Sequence, residues 1–142
     1  MRKDIKKMII SKKESAMKIV GSILNNTELG YDEFSDLFTD YLCEKFLLVK
    51  DEIVTDDFYE ICRLSAEKAS NLPKGMLDAA ELASKCGGAT TAMNKKVLFL
   101  LAVNREYEIK IEAEESAPIE TFTDLKKLIY KKIVEKRETG YD

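Results

Sequence analysis

Apolar side chains recur at helical spacing along most of the first half of the chain, and this pattern predicts three amphipathic helices. The first runs from about residue 13 to residue 25, with its apolar positions on one face. The second begins at a cap formed by Asp32 or Ser35. The third continues from Phe58 towards residue 69 and is capped by the Thr55–Asp57 segment. Side-chain oxygens in that segment can accept hydrogen bonds from the first free amides of a helix.

The second half of the chain continues the helical pattern. A short helix rich in small residues is predicted over Met76–Ala83, followed by a long apolar helix from Ala92 to about Tyr107. A last helix begins at Thr121 or Thr123 and runs to about Lys136. No segment alternates over strand length with an evident partner, so the sequence predicts an all-α fold, a bundle of about six helices.

Composition narrows the class of protein. A chain of 142 residues has the length of a single domain, covering residues 1–142, with room for a buried core. The net charge of −3 argues against nucleic acid as a partner. The basic N-terminal stretch is interpreted as a solvated helical lead-in, and with no signal peptide or membrane-length apolar run, we expect a cytoplasmic protein that does not bind membranes.

The chain contains no histidine, which removes the commonest general base and the usual zinc ligand. The three cysteines, Cys43, Cys62 and Cys86, are odd in number and widely spaced, so they are interpreted as reduced thiols. Carboxylates near Asp56 and Glu114 are interpreted as a solvated helix start and a solvated loop. We therefore expect neither a metal site nor a complete catalytic constellation.

Cys86 keeps one enzymatic alternative open. It precedes a Gly-Gly pair and a predicted helix N-terminus, where the helix dipole can lower the pKa of a thiol and make it nucleophilic. A small thiol-dependent enzyme that uses Cys86 is therefore an alternative hypothesis, although two glycines there are also explained by a turn of the chain.

A more specific pattern lies in the last third of the chain. The long apolar helix ends at Tyr107, Ile111 follows four residues later, and after an acidic loop the segment Ile119–Leu125 reads Ile-x-Thr-x-x-Asp-Leu. This order resembles acyl and peptidyl carrier proteins over about residues 90–133. The resemblance implies a four-helix bundle over about residues 34–136, with an inserted segment at 58–88 and an N-terminal helical extension at 1–30.

The same resemblance implies that the serine that carries phosphopantetheine in carrier proteins is missing here. Carrier proteins attach phosphopantetheine to a serine at the start of this helix, and the matching positions here are Ala92 and Met93. Neither has a hydroxyl group, so no cofactor is expected. Thr90 and Thr91 are near and are interpreted as helix caps. A true carrier protein with a non-standard attachment site, and hence with phosphopantetheine, stays an alternative.

The expected function follows from a carrier-like fold that lacks the phosphopantetheine arm. We expect a non-catalytic, carrier-like helical protein that binds a protein partner, of unknown identity, through the start and exposed side of this helix. The residues expected at the interface are Met93, Lys95, Lys96 and Arg105. Carrier proteins present acidic residues here, so these cations imply altered charge pairing. An unrelated acidic binding or inhibitory protein is the remaining alternative.

Overall fold

Six α-helices and one 3-10 turn are present in residues 2–70 and 92–138, which the computed structural model describes. No β-strand occurs in this part of the chain, so the prediction of an all-α bundle of about six helices is confirmed. No helix in these residues is long and apolar enough to cross a bilayer. The elements are α1 (Arg2–Leu24), α2 (Tyr31–Phe46), the 3-10 turn (Lys50–Glu52), α3 (Phe58–Ser70), α4 (Ala92–Tyr107), α5 (Ala113–Ser116) and α6 (Phe122–Glu138).

Two of the observed elements were not expected from the sequence. The single-turn helix α5, within the acidic loop, and the 3-10 turn were not predicted. Both are closed by a glutamate side chain that returns to a backbone amide: Glu52 Oε1 accepts from Val49 N at 2.8 Å, and Glu115 Oε1 accepts from Glu112 N at 2.9 Å. The helix predicted over Met76–Ala83 lies outside the described residues.

Two predicted helix starts were wrong. Helix α1 begins at Arg2 and not near residue 13, because the lysine-rich lead-in consists largely of good helix formers. Helix α2 begins at Tyr31, with Gly30 as its N-cap in an extended conformation. Asp32 and Ser35 therefore lie inside α2 and neither caps it; Asp32 instead places a negative charge in the first turn, near the positive end of the helix dipole.

Aromatic rings join four helices in the core. The ring of Phe38 on α2 lies 5.9 Å from that of Phe99 on α4 and 6.0 Å from that of Phe122 on α6. Phe58 on α3 stacks on Phe122 at 6.1 Å and lies 5.9 Å from Phe99. Such ring pairs add specific attraction to the burial of large apolar surfaces, so these contacts fix the positions of α2, α3, α4 and α6.

Helix α1 belongs to the same core. Its residues Ala16, Val20 and Ile23 are buried, and it packs principally on α2. The last turn of α1 has carbonyl groups without a partner inside the helix. The Arg137 guanidinium on α6 donates to one of them, the carbonyl of Ile23, at 2.8 Å. The N-terminal segment therefore contributes to the central packing of the described residues.

The starts of α3 and α6 are tied together by a pair of backbone hydrogen bonds, here named the helix-start bridge. Phe58 N donates to Glu120 O at 2.9 Å, and Phe122 N donates to Asp56 O at 2.8 Å. These bonds form a single antiparallel residue pair. Two helix N-termini, each with unsatisfied amides, are therefore held side by side.

Side chains in the helix-start bridge cap both helices. Asp57 Oδ1 accepts from Tyr59 N at 3.0 Å, so the predicted cap of α3 is confirmed. Its neighbour Asp56 acts on the other helix, since its Oδ1 accepts from Thr123 N at 3.0 Å. Thr121 Oγ1 accepts from Asp124 N at 3.1 Å and so caps α6, which begins at Phe122, close to the predicted start.

Candidate functional site

One face of α4 exposes large apolar side chains. Met93, Val97 and Leu101 follow one another at intervals of four residues and are 56%, 47% and 54% exposed. This spacing places them in a stripe along one side of the helix. Phe99 and Val103 lie on another side of α4 and are buried. Burial of the second set accounts for the folding of α4, whereas the exposed stripe is not needed for the core.

The charged residues of α4 occupy different environments. The Arg105 side chain is 70% exposed, although it contacts Glu106 Oε2 at 3.3 Å. Lys95 is partly buried, with its ammonium group 5.9 Å from the centre of the Phe46 ring. Lys96 is half-buried. Among the predicted interface residues, Met93 and Arg105 are therefore exposed, whereas Lys95 is directed towards the bundle.

The two positions that match the carrier serine are separated by the geometry of the helix. Ala92 is buried at 7% exposure, and Met93 points outward. Neither side chain carries a group that could be acylated or phosphorylated. Thr90, Thr91 and Cys86 lie outside the described residues.

The two described cysteines are poor nucleophiles. Cys43 and Cys62 are free thiols, and both are buried. Burial raises the pKa of the Cys43 thiol, and it raises that of Cys62 to about 12. Because the thiolate is the reactive form, neither thiol reacts readily near neutral pH.

Several of these acidic residues have structural partners. Asp56 and Asp57 cap helices, and Glu115 contacts Lys132 at 2.8 Å. Within residues 2–70 and 92–138, no group of three or more cysteine, aspartate or glutamate side chains is placed to hold a metal ion. The acidic pattern there is explained by helix capping and surface ion pairs.

A buried carboxylate on α4 was missed by the sequence analysis. The Glu106 side chain is only 8% exposed; Oε1 accepts from the Tyr41 hydroxyl at 2.5 Å, and Oε2 accepts from Lys45 Nζ at 2.9 Å. Burial alone would raise the pKa of Glu106, but the hydrogen bonds from Tyr41 and Lys45 outweigh it and keep the pKa below its ordinary value. The sequence did carry one sign of this burial. Glu106 follows Phe99 by seven residues, which places both on the inward side of α4.

This cluster of Glu106, Tyr41 and Lys45 joins α2 to α4. Both carboxylate oxygens of Glu106 have a hydrogen-bond donor inside the cluster. Its arrangement therefore stabilises the helix pair and leaves the exposed stripe of Met93, Val97 and Leu101 as the candidate functional site on α4.

Comparison of the chain with protein-family models, curated proteins and solved structures found no match in any of the three. The resemblance to carrier proteins over about residues 90–133 accordingly stays a prediction, and the function is argued from the site itself.

Proposed function

We propose that this protein is non-catalytic and acts by binding a protein partner through the exposed stripe of α4. The proposal retains the carrier-like arrangement without a pantetheine arm. Its main support is the stripe of Met93, Val97 and Leu101, because three large apolar side chains at helical spacing on one open face match the surface that binds an amphipathic helix.

The charges on α4 specify the partner's chemistry. The exposed cation next to the stripe is Arg105, while the only acidic residue of α4, Glu106, is buried in its cluster. A partner helix with apolar residues at intervals of three and four positions, and with an aspartate or glutamate opposite Arg105, complements this face.

The absence of an arm is a separate element of the proposal. Incubation of the purified protein with coenzyme A and a broad-specificity phosphopantetheinyl transferase should leave its intact mass unchanged. A mass gain of one phosphopantetheine group would overturn this element and identify the chain as a working carrier protein. We also propose a cytoplasmic location, which accords with the free thiols of Cys43 and Cys62.

The partner-binding element is tested by comparative capture from cell extract. We expect Val97→Asp to abolish capture of the partner, because it places a charge in the apolar stripe. Val54→Asp is the matched control, since Val54 is 84% exposed and lies after the 3-10 turn and not on α4. Binding of the captured protein should then be measured with purified components, where we expect Val97→Asp to weaken the affinity by about tenfold or more.

Equal capture and equal affinity for the two variants would contradict the assignment of the stripe. Circular dichroism of both variants establishes that neither substitution has unfolded the bundle.

A further inference from the structure

A pocket of about 240 Å³ lies where the first half of α1 meets the chain that leaves α2. Apolar side chains form most of its wall. They are contributed by α1 and by the segment that ends α2, namely Met8, Phe46, Leu47, Leu48 and Val49. A pocket with this lining favours an apolar ligand or an apolar part of one.

The polar groups at the pocket are mainly cations. Lys12, Lys68 and Lys95 line it, and no carboxylate belongs to the described lining residues. Two of the cations already have partners outside the lining: Lys12 Nζ lies 3.3 Å from Glu44 Oε2, and Lys68 Nζ lies 2.9 Å from Glu52 Oε1.

Lys95 differs from the other two lysines. Within the described part of the chain it has no carboxylate partner, and its ammonium group lies against the ring of Phe46, 5.9 Å from the centre. Burial lowers the pKa of Lys95 from its ordinary value, as expected for a cation that has lost water without gaining an anion. A ligand anion at this position would supply the missing partner.

We propose that this pocket binds a small monocarboxylate with an apolar chain, whose carboxylate contacts Lys95 and whose chain lies along Phe46, Leu48 and Val49. A carboxylate fits better than a phosphate, because one unpartnered cation balances one negative charge and a phosphate carries nearly two. The volume sets the size: a cavity of about 150 Å³ holds benzene, so one of this volume holds about ten non-hydrogen atoms, the number in octanoate. This site is independent of the stripe on α4 and of the proposed function.

The test is a titration of the full chain by calorimetry and by amide chemical-shift mapping. We expect octanoate to bind and to shift the amide signals of Leu48, Val49 and Lys95. Octanol, which has the same chain without the charge, and acetate, which has the charge without the chain, should each bind at least about tenfold more weakly.

Variants locate the contact. Lys95→Met keeps the side-chain length and removes the charge, and it should weaken octanoate binding by about tenfold or more. Lys127→Met is the matched control, because Lys127 is exposed and does not line the pocket, and it should bind as the parent protein does. Lys95→Arg, which keeps the charge, should retain binding.

The proposal is overturned if the parent protein does not bind octanoate, if octanol binds as tightly, or if the shifted amides lie away from the pocket. Unchanged octanoate binding in folded Lys95→Met would also overturn it. Should Lys95→Met fail to fold, the comparison of octanoate with octanol on the parent protein decides the outcome.

Discussion

Tyr41 and Tyr107 lie against each other in the core, with ring centres 5.1 Å apart, yet their hydroxyl groups have opposite surroundings. The Tyr41 hydroxyl donates to Glu106, whereas the Tyr107 hydroxyl is buried without a hydrogen-bond partner. Burial raises the pKa of both groups well above the ordinary value, so both hydroxyl groups stay protonated at any physiological pH. An unsatisfied buried hydroxyl has lost water without compensation, which destabilises the folded state.

This difference predicts opposite effects of the same substitution. Tyr107→Phe should leave the free energy of unfolding unchanged or raise it by about 1 kcal/mol, because it removes an unsatisfied group and keeps the ring. Tyr41→Phe, the matched control, should lower it by about 1–2 kcal/mol, because it removes the donor to Glu106 Oε1. Urea unfolding measures both. A loss for Tyr107→Phe as large as that for Tyr41→Phe would mean that the Tyr107 hydroxyl has a partner.

Glu106, the only acidic residue on α4, should be sensitive to the loss of its charge. Glu106→Gln removes the negative charge that faces Lys45, so the free energy of unfolding should fall by about 2 kcal/mol. Glu135→Gln on α6, where the side chain is exposed, is the control and should change it by less than about 0.5 kcal/mol. Similar unfolding curves for the two variants would show that the cluster of Glu106, Tyr41 and Lys45 does not stabilise the fold.

At the scale of elements, the helix interiors were predictable from the sequence and several helix ends were not. Periodicity located α3, α4 and α6, because each must bury one face. The ends of α2 and α4 are marked by Leu47 and Glu108, with φ of 58° and 57°, and neither is the glycine that usually signals such a turn. At the end of α4 a tertiary contact contributes: Lys136 Nζ donates to the carbonyl of Glu108 at 3.0 Å, a contact that local sequence cannot reveal.

Asp56 precedes α3 but caps α6, so its substitution should affect the stability of α6. Asp56→Ala should lower the free energy of unfolding by about 1 kcal/mol, because Thr123 N loses its acceptor. Asp51→Ala, at an exposed position in the 3-10 turn, should be close to neutral. Thermal or urea unfolding provides the measurement. An equal effect of the two substitutions would indicate that Asp56 is not an effective cap.

For the whole molecule, the lowered pKa of Glu106 predicts the direction of acid destabilisation. Since this pKa lies below the ordinary value of 4.5, the stability that Glu106 contributes is complete above that value. It is lost as the pH falls through the folded-state pKa. Urea midpoints recorded from pH 7 downwards should therefore decrease below about pH 4.5, and the decrease should be smaller in Glu106→Gln. Parallel pH profiles for the parent and the variant would contradict this assignment.

The candidate sites were predictable only in part. The sequence reveals the hydrophobic periodicity of α4, and this periodicity alone places Met93 and Arg105 on the outward side of the helix. The pocket beside Lys95 brings together α1, the end of α2, α3 and α4, and the burial of that lysine depends on how these distant segments pack. Periodicity assigns a face to a residue within its own helix, but it does not specify which other helix meets that face.

The helix-start bridge also bears on the order of folding. Asp56 and Thr123 are 67 positions apart, so their contact closes a long loop. The entropy cost of closure is met before the contact provides any stabilisation, whereas single helices form locally and fast. We therefore expect the first turn of α6 to become ordered late, after the single helices have formed.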